Sequence, residues 1–241
     1  VSIDPKTGGI LALYGGEDYL TSQVNTSTDA IAQAGSTFKP FALVAALENG
    51  WSLVSSYSAA SPMTIEGHEF QNFKNVSLKS ADLAEATERS LNTPYLQLNR
   101  DLSNQVDSQA TAEVANRAGY PKNTAGLESD VERELIQNVL GSASPHTIDI
   151  ASAYSTFAAQ GVKRDPHMVA SVKNPDGSDH YTAPTAGKRE FEEDVMADTT
   201  YALQQVVSGA NGSADKVAAQ MDRPVAAKTG SSSDNKSAQF V

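Results

Sequence analysis

The chain is organised around one stretch, Gln33-Ala34-Gly35-Ser36-Thr37-Phe38-Lys39-Pro40-Phe41, which opens an apolar helix predicted to end near Asn49-Gly50. Its Ser36 and Lys39 stand three positions apart, and side chains at that spacing share one face of a helix. A neutral amine at Lys39 would be a base beside a serine nucleophile. The same two residues also suit a helix N-cap and a solvated lysine, so the remaining sequence must decide between these interpretations.

The composition narrows the class of protein. The 241 residues are 39% apolar and 20% charged, which is typical of a folded chain with a sizeable core. A net charge of -11 argues against nucleic-acid binding, and the absence of cysteine excludes disulfides and thiolate chemistry. No apolar run approaches the roughly 18 residues of a membrane span. Four scattered histidines show no ligand spacing, so we predict neither a metal site nor a cofactor.

Both ends of the sequence suggest a piece of a longer protein. No signal peptide is visible, and the chain opens in a strand-like run and stops inside another, Ala238-Gln239-Phe240-Val241. We therefore expect the sheet to be truncated at its C-terminal strands.

Three blocks follow one another along the chain. Residues 1–13 are predicted as a hairpin, 15–35 as a loop and 51–76 as mixed structure. Residues 77–161 are predicted as helical, with the segments 81–89, 94–102, 107–118 and 144–161. A hairpin over 167–182, a helix over 194–208, a strand over 224–227 and a last strand complete the pattern.

This order predicts an α+β fold. We expect an antiparallel sheet flanked by helices, with its strands drawn from both ends of the chain. Residues 1–76 and 162–241 would form an α/β subdomain, and 77–161 an inserted all-helical subdomain. The whole chain, 1–241, would be one domain.

Three short motifs occur in a fixed order. They are Ser36-Thr37-Phe38-Lys39, Ser90-Leu91-Asn92 and Lys228-Thr229-Gly230, which match the S-x-x-K, S-x-N and K-T-G set of serine acyl-transfer enzymes. Each motif alone is weak, because the chain repeats them at Lys6-Thr7-Gly8, at Ser213 to Lys216 and at Ser233 to Lys236. Context separates the copies. Only Ser36 starts a long apolar helix, only Ser90 lies between two predicted helices, and only Lys228 follows an apolar segment directly. Ser213 is instead predicted to cap a short helix.

Together with their surroundings, these residues resemble the transpeptidase domain of class A, bifunctional penicillin-binding proteins. The resemblance runs through nearly the whole chain. It includes Ile3-Asp4-Pro5-Lys6-Thr7-Gly8, Gly35 to Phe41, Ser90-Leu91-Asn92-Thr93-Pro94, Ala151 to Ala158, and Ala227 to Gly230 followed by Phe240-Val241.

The resemblance implies a role for each motif residue. Ser36 resembles the nucleophile acylated by a peptidoglycan stem peptide ending in D-Ala-D-Ala, or by a β-lactam. Lys39 resembles its base, and we expect the helix N-terminus, burial and the second lysine at Lys228 to disfavour its ammonium form. Ser90 resembles the proton relay to the leaving amine, and Asn92 the side chain that holds the substrate amide and steadies Lys39. Lys228 and Thr229 resemble the cradle for the substrate's terminal carboxylate, and Gly230 follows them as a substrate-binding residue of the same motif. The backbone N–H groups of Ser36 and Ser231 resemble the oxyanion hole. The family more often has threonine at position 231.

The family's setting is implied as well. The partners would be peptidoglycan stem peptides, β-lactam antibiotics and an upstream glycosyltransferase domain, on the extracytoplasmic side of the cytoplasmic membrane. A D,D-carboxypeptidase, a β-lactamase and a non-turnover β-lactam sensor remain alternatives. Glu134 and Asn138 imitate the spacing of a deacylating loop in β-lactamases. Because no proline follows Glu134, and because the second motif is Ser-Leu-Asn rather than the Ser-Asp-Asn usual in β-lactamases, the sequence favours a transpeptidase over a β-lactamase.

Overall fold

The computed structural model describes residues 1–128, 136–218, 220–232 and 236–241. Two expectations from the sequence, at Glu134 and at Ser233-Asp234-Asn235, lie outside the described residues. The α-helices of the described part are α1 (Lys39–Glu48), α2 (Leu83–Glu88), α3 (Asn92–Gln105), α4 (Ala110–Ala118), α5 (Thr147–Ala158), α6 (Glu193–Ser208) and α7 (Asp215–Ala218). Shorter 3-10 helices cover Gly35–Phe38, Phe73–Asn75 and Asn138–Leu140.

The strands of the described residues form antiparallel two-stranded pairs. The pairs are β1 (Ser2–Ile3) with β2 (Ile10–Ala12), β3 (Ser56–Ala59) with β6 (Leu78–Asp82), β4 (Met63–Ile65) with β5 (His68–Phe70), β7 (Val162–Lys163) with β10 (Lys188–Arg189), β8 (Ser171–Lys173) with β9 (Asp179–Thr182), and β11 (Thr229–Ser231) with β12 (Ala238–Phe240). A parallel bridge between Gly9 and His167 links the first block of strands to the third. The predicted α+β class is confirmed.

Helix α1 forms the centre of the core. Its residues from Lys39 to Ala46 are all buried, since every side chain except the lysine is apolar. The helix packs against α3, α4 and α6. An aromatic cluster closes the packing at its N-terminal end and consists of Phe38, Phe41, Tyr120, Tyr154 and Phe157.

Two secondary-structure predictions were wrong. Strand β6 occupies Leu78–Asp82 inside the stretch that was predicted as helical from residue 77. Helix α2 cannot begin at Ala81, because the Asp82 carboxylate accepts the backbone N–H of Glu85 and caps the helix at Leu83. Residues 224–227, predicted as a strand, form none. Pro224 has no N–H, and the Ala227 N–H donates to the Leu203 carbonyl of α6 rather than to a strand.

Candidate active site

Three backbone segments meet at the 3-10 helix that precedes α1. Gly35 has a φ of +56°, and a Cβ on it would lie 2.6 Å from the Ser231 carbonyl oxygen of β11. A Cβ on Gly230 would lie 2.6 Å from the Ala34 carbonyl oxygen. On the opposite side, the Gly35 N–H donates to the Gly141 carbonyl at 3.1 Å. The glycines therefore allow strand β11 to lie directly on the segment that carries Ser36.

Ser36 lies within this 3-10 helix, and Lys39 is the first residue of α1. The Lys39 N–H donates to the Ser36 carbonyl. Side chains three apart eclipse in a 3-10 helix, so both residues face the same side. Lys39 is fully buried. Among the described residues, no hydrogen bond joins the Ser36 hydroxyl to Lys39, although the i, i+3 spacing suggested one.

The Lys39 amine instead contacts the second motif. Its Nζ donates to the Ser90 carbonyl at 2.7 Å and to Asn92 Oδ1 at 2.8 Å, and lies 3.5 Å from Ser90 Oγ. The ring of Tyr95 lies on another side of the amine, with its centroid 5.7 Å from Nζ. Two motifs that are about fifty residues apart in sequence thus form one hydrogen-bonded unit.

Ser90 occupies a strained backbone position between α2 and α3. Its φ of +57° is left-handed, a conformation that costs a residue other than glycine on the order of 1–3 kcal/mol. The N–H groups of Ser90 and Leu91 donate to the carbonyls of Thr87 and Ala86, which is the Schellman pattern at the end of α2. Glycine is the usual residue at that position. A serine there brings both its carbonyl and its hydroxyl to the lysines.

Lys228 reaches the same hydroxyl from the other side. It is fully buried, and its Nζ donates to Ser90 Oγ at 2.7 Å and to the Thr229 carbonyl at 2.9 Å. Burial lowers the pKa of Lys39 well below its usual value, and the charge of Lys228 lowers that pKa further. Burial also lowers the pKa of Lys228, to about 7. The cluster therefore favours a neutral amine at Lys39, as a general base requires.

The register of β11 determines which backbone N–H groups face the site. Lys228 and Val241 exchange both backbone hydrogen bonds, at 2.9 and 3.1 Å. Such pairs alternate along an antiparallel ladder. Ser231, opposite Ala238, is therefore in a non-hydrogen-bonded pair, and its N–H points away from β12. Since its backbone also lies against Gly35, that N–H faces the Ser36 side.

The Thr229 hydroxyl has a partner that the sequence did not indicate. Its Oγ1 lies 2.9 Å from Ser213 Oγ. The prediction that Ser213 caps a short helix missed this contact, since α7 begins at Asp215 and the Ser213 hydroxyl faces Thr229. Glu88 holds the loop in place, because its carbonyl accepts the Ser213 N–H at 3.0 Å and its carboxylate accepts the Asn211 N–H at 2.7 Å.

Many of these groups line one open cleft of about 1020 Å³. The predicted site residues that line it are Ser36, Ser90, Asn92, Thr229, Gly230 and Ser231, and its outer wall includes Glu69, Phe73, Lys74 and Arg89. Lys39 and Lys228 lie behind this surface. The cleft is large enough for a peptide-sized ligand, and pockets that bind ligands commonly enclose about 300–1,000 Å³.

Within the described ranges, no three His, Cys, Asp or Glu side chains come together as a possible metal site. No helix of the described residues is both long and apolar enough to span a membrane.

The known proteins that this sequence resembles are penicillin-binding proteins. The sequence matches the family described as penicillin binding protein transpeptidase domain over residues 1–239. Penicillin-binding protein 1A of Mycolicibacterium smegmatis is 35% identical to the whole chain, which covers 31% of that relative. Penicillin-binding protein 1A of Mycobacterium tuberculosis is 35% identical over 88% of the chain and 26% of its own length. The chain thus spans about a third of the curated relatives it matches.

Solved structures show the same fold. The penicillin-binding protein PonA1 of Mycobacterium tuberculosis in complex with penicillin V has a TM-score of 0.78 and 31% identity, over 98% of this chain and 61% of that one. Penicillin-binding protein 1A of Haemophilus influenzae has a TM-score of 0.84 at 22% identity, over 99% of this chain and 40% of that one. The chain belongs to the penicillin-binding protein transpeptidase domain family.

Proposed function

We propose that this domain is a serine D,D-transpeptidase that cross-links peptidoglycan stem peptides through a Ser36 acyl-enzyme and is inhibited by β-lactams. One observation carries the proposal. The Ser90 hydroxyl lies between two buried lysine amines, on a cleft that Ser36 also lines. The penicillin V complex of the related PonA1 protein supports β-lactam binding at such a site.

Acylation would begin at Ser36. Its Oγ attacks the carbonyl carbon of the penultimate D-Ala, and the hydroxyl proton passes to the neutral Lys39 amine. The amide C–N bond then breaks. The leaving nitrogen takes its proton from the Ser90 hydroxyl, which is replenished from the lysine that the base step protonated. The contacts of Ser90 with Lys39 and Lys228 support this relay, because a hydroxyl can accept from one amine while it donates elsewhere.

Other groups of the cleft would hold the substrate. The Lys228 ammonium and the Thr229 hydroxyl would receive the terminal carboxylate. Asn92 would donate one hydrogen of its side-chain amide to a substrate carbonyl. The backbone N–H groups of Ser36 and Ser231 would form the oxyanion hole, and the alternation of β11 supports this because it directs the Ser231 N–H toward Ser36.

Deacylation needs an amine from a neighbouring stem peptide, which attacks the ester carbonyl and releases Ser36. We propose an extracytoplasmic location in the cell envelope, with a glycosyltransferase domain upstream in the full-length protein. We also propose that the α/β subdomain (1–76 and 162–241) supplies Ser36, Lys39 and Lys228, while the inserted subdomain (77–161) supplies Ser90 and Asn92. The site would then form where the two meet.

Intact mass spectrometry after exposure to benzylpenicillin tests the proposal. We expect a long-lived adduct of one drug molecule, which is located on Ser36 and absent in Ser36→Ala. Rapid release of hydrolysed drug would identify a β-lactamase instead. An unmodified Ser36 in a chain with a native circular dichroism spectrum would overturn acylation altogether.

A second assay separates the transpeptidase from the carboxypeptidase and the sensor. A model stem peptide ending in D-Ala-D-Ala is incubated with the domain and a D-amino acid as the acceptor amine. We expect exchange of the terminal D-Ala for the added amino acid. Release of D-Ala without exchange would indicate a carboxypeptidase, and an adduct without any turnover of the peptide would indicate a sensor.

A further inference from the structure

Asn72 is a buried asparagine beside the cleft whose side-chain amide holds neighbouring segments together, and no sequence motif indicated it. It is 2% exposed. Its Oδ1 accepts the backbone N–H groups of Asn92 at 2.7 Å and Thr93 at 2.9 Å. Its Nδ2 donates to the carbonyls of Val76 at 2.9 Å and Ala59 at 3.3 Å. Every hydrogen-bonding position of the amide is occupied, so one side chain joins three separate segments.

The first contact of Asn72 is a helix cap supplied from a distance. Helix α3 begins after Leu91, whose side chain cannot cap it. The first N–H groups of a helix have no partner within the helix, and a missing side-chain cap costs about 1 kcal/mol. Asn72 supplies the missing acceptor from 20 residues earlier in the chain. The position of the first residue of α3 therefore depends on Asn72.

The peptide bond between Gln71 and Asn72 also contacts Asn92. The Gln71 carbonyl accepts from Asn92 Nδ2 at 2.7 Å, while the Asn72 N–H donates to Ser61 Oγ at 2.9 Å. The C=O and N–H of a trans peptide point in opposite directions, so the plane of this peptide is held from both sides.

These contacts determine which end of the Asn92 amide faces the lysine. With Nδ2 directed at Gln71, Oδ1 is directed at Lys39 Nζ, 2.8 Å away. A reversed amide would place an oxygen against the Gln71 carbonyl, which is repulsive, and would direct a donor at the lone pair that the neutral Lys39 amine needs as a base.

We propose that Asn72 is a positioning residue for acylation, which holds Asn92 so that its oxygen supports Lys39 and its free amide hydrogen faces the cleft. This role rests on the proposed function of the domain. Asn72 acts through Asn92 and touches neither Ser36 nor a reacting atom. Through Asn92, it would connect the segment 71–75, which lines the cleft, to Lys39.

The test is the kinetics of benzylpenicillin acylation in Asn72→Ala, measured in the full chain by stopped-flow or quenched mass spectrometry. We expect the second-order acylation constant to fall about tenfold to 10²-fold, because small displacements of catalytic groups have effects of that size. The matched control is Asn99→Ala. Asn99 is a similarly buried asparagine of α3, and it is bonded to Asn138, Thr111 and the Ile136 carbonyl, none of which is a predicted site residue. It should lose comparable stability while keeping the wild-type acylation constant.

A second readout separates positioning from general loss of structure. A hydrogen-bond acceptor favours the ammonium form of Lys39. Asn72→Ala should move Asn92 Oδ1 away from the Lys39 amine and thereby lower the pKa of Lys39 further. The acid limb of the acylation profile should therefore move to lower pH in Asn72→Ala and stay in place in Asn99→Ala. The groups that face the amine are Lys228, Ser90 and the ring of Tyr95, a phenol that burial keeps neutral. Neither variant changes them.

The inference is overturned if Asn72→Ala keeps both the acylation constant and the acid limb while losing only stability. If Asn72→Ala does not fold, Ser61→Ala decides, since it frees the 71–72 peptide on one side only. In Ser61→Ala we expect a smaller fall in the acylation constant and a smaller shift of the acid limb to lower pH. A wild-type acylation constant together with a wild-type acid limb would overturn the role of Asn72. Failure of the wild-type chain to acylate at all would instead count against the proposed function.

Discussion

The chain contains the tripeptide Lys-Thr-Gly twice, and the two copies differ in almost every physical respect. Lys6 is exposed in the turn between β1 and β2, whereas Lys228 is completely buried and donates to Ser90 Oγ. The Thr7 hydroxyl donates to the Asp4 carboxylate within its own turn. The Thr229 hydroxyl instead meets Ser213, which is 16 residues away.

The glycines of the two copies differ as well. Gly8 has a φ of +82°, which the turn requires. Gly230 has no such requirement, and its lack of a side chain serves close contact with Ala34. The same holds for the serine–lysine pairs, since Lys216 is exposed and Lys39 is buried. An identical local sequence thus supplies a turn in one place and a candidate catalytic group in another, because burial and partners set the chemistry.

The largest expected effect comes from replacing the lysine of the second Lys-Thr-Gly copy, Lys228. Lys228→Met should lower the second-order constant for benzylpenicillin acylation about 10²- to 10⁴-fold, the usual range for a lost acid–base group. The reason is that the Ser90 hydroxyl and the drug carboxylate both lose their cation. Lys6→Met should leave the constant unchanged. Equal losses in both variants, or none in Lys228→Met, would contradict the assignment of the second copy to the site.

The pH dependence sharpens the same contrast. With a pKa of about 7, Lys228 is an ammonium below pH 7 and neutral above it. Since the ammonium attracts the drug carboxylate, acylation at subsaturating benzylpenicillin should fall about tenfold between pH 6 and pH 8 on the alkaline side of the profile. Lys6→Met should show the same alkaline limb, and a flat profile in the wild type would contradict the role of Lys228.

The pKa of Lys228 also affects stability, with a sign that can be worked out. An unfolded lysine has a pKa of about 10.5, so between about pH 7 and 10.5 the unfolded chain binds a proton that the folded chain has lost. The contribution of this residue to the free energy of unfolding therefore rises with pH across that window. Urea titrations should show a smaller rise in Lys228→Met than in the wild type.

The smallest expected effect comes from the glycines. Gly8→Ala should cost about 1–3 kcal/mol of stability or more, because a side chain with positive φ is strained and the added Cβ would lie 2.7 Å from the Asp165 carbonyl oxygen, but it should acylate normally. Gly230→Ala should push β11 away from the 3-10 helix and lower acylation about tenfold, as misplaced groups do. Urea unfolding and acylation kinetics measured on both variants check this. A normal rate in Gly230→Ala would show that the close approach of the two backbones is dispensable.

Much of the site could be predicted from the sequence, because its motifs occur in a fixed order and in distinct local contexts. Ser36, Ser90, Asn92 and Thr229 line one cleft, as the motifs indicated. Asn72 and Ser213 could not be predicted, because each acts through contacts with residues far away in the chain. Strand β6 was mistaken for helix, since its pairing with β3 depends on a partner about 20 residues earlier or more.

The sequence by itself determined the helix around Ser36 and Lys39, the α+β class and the identity of the groups able to do chemistry. These follow from local periodicity, caps and spacing, which operate over a few residues. Only the tertiary structure decided that Lys39 donates to the Ser90 carbonyl, that Lys228 donates to the Ser90 hydroxyl, and that both lysines are completely buried, which lowers both pKa values. Desolvation depends on what surrounds a charge, and most of these surroundings come from distant segments of the chain.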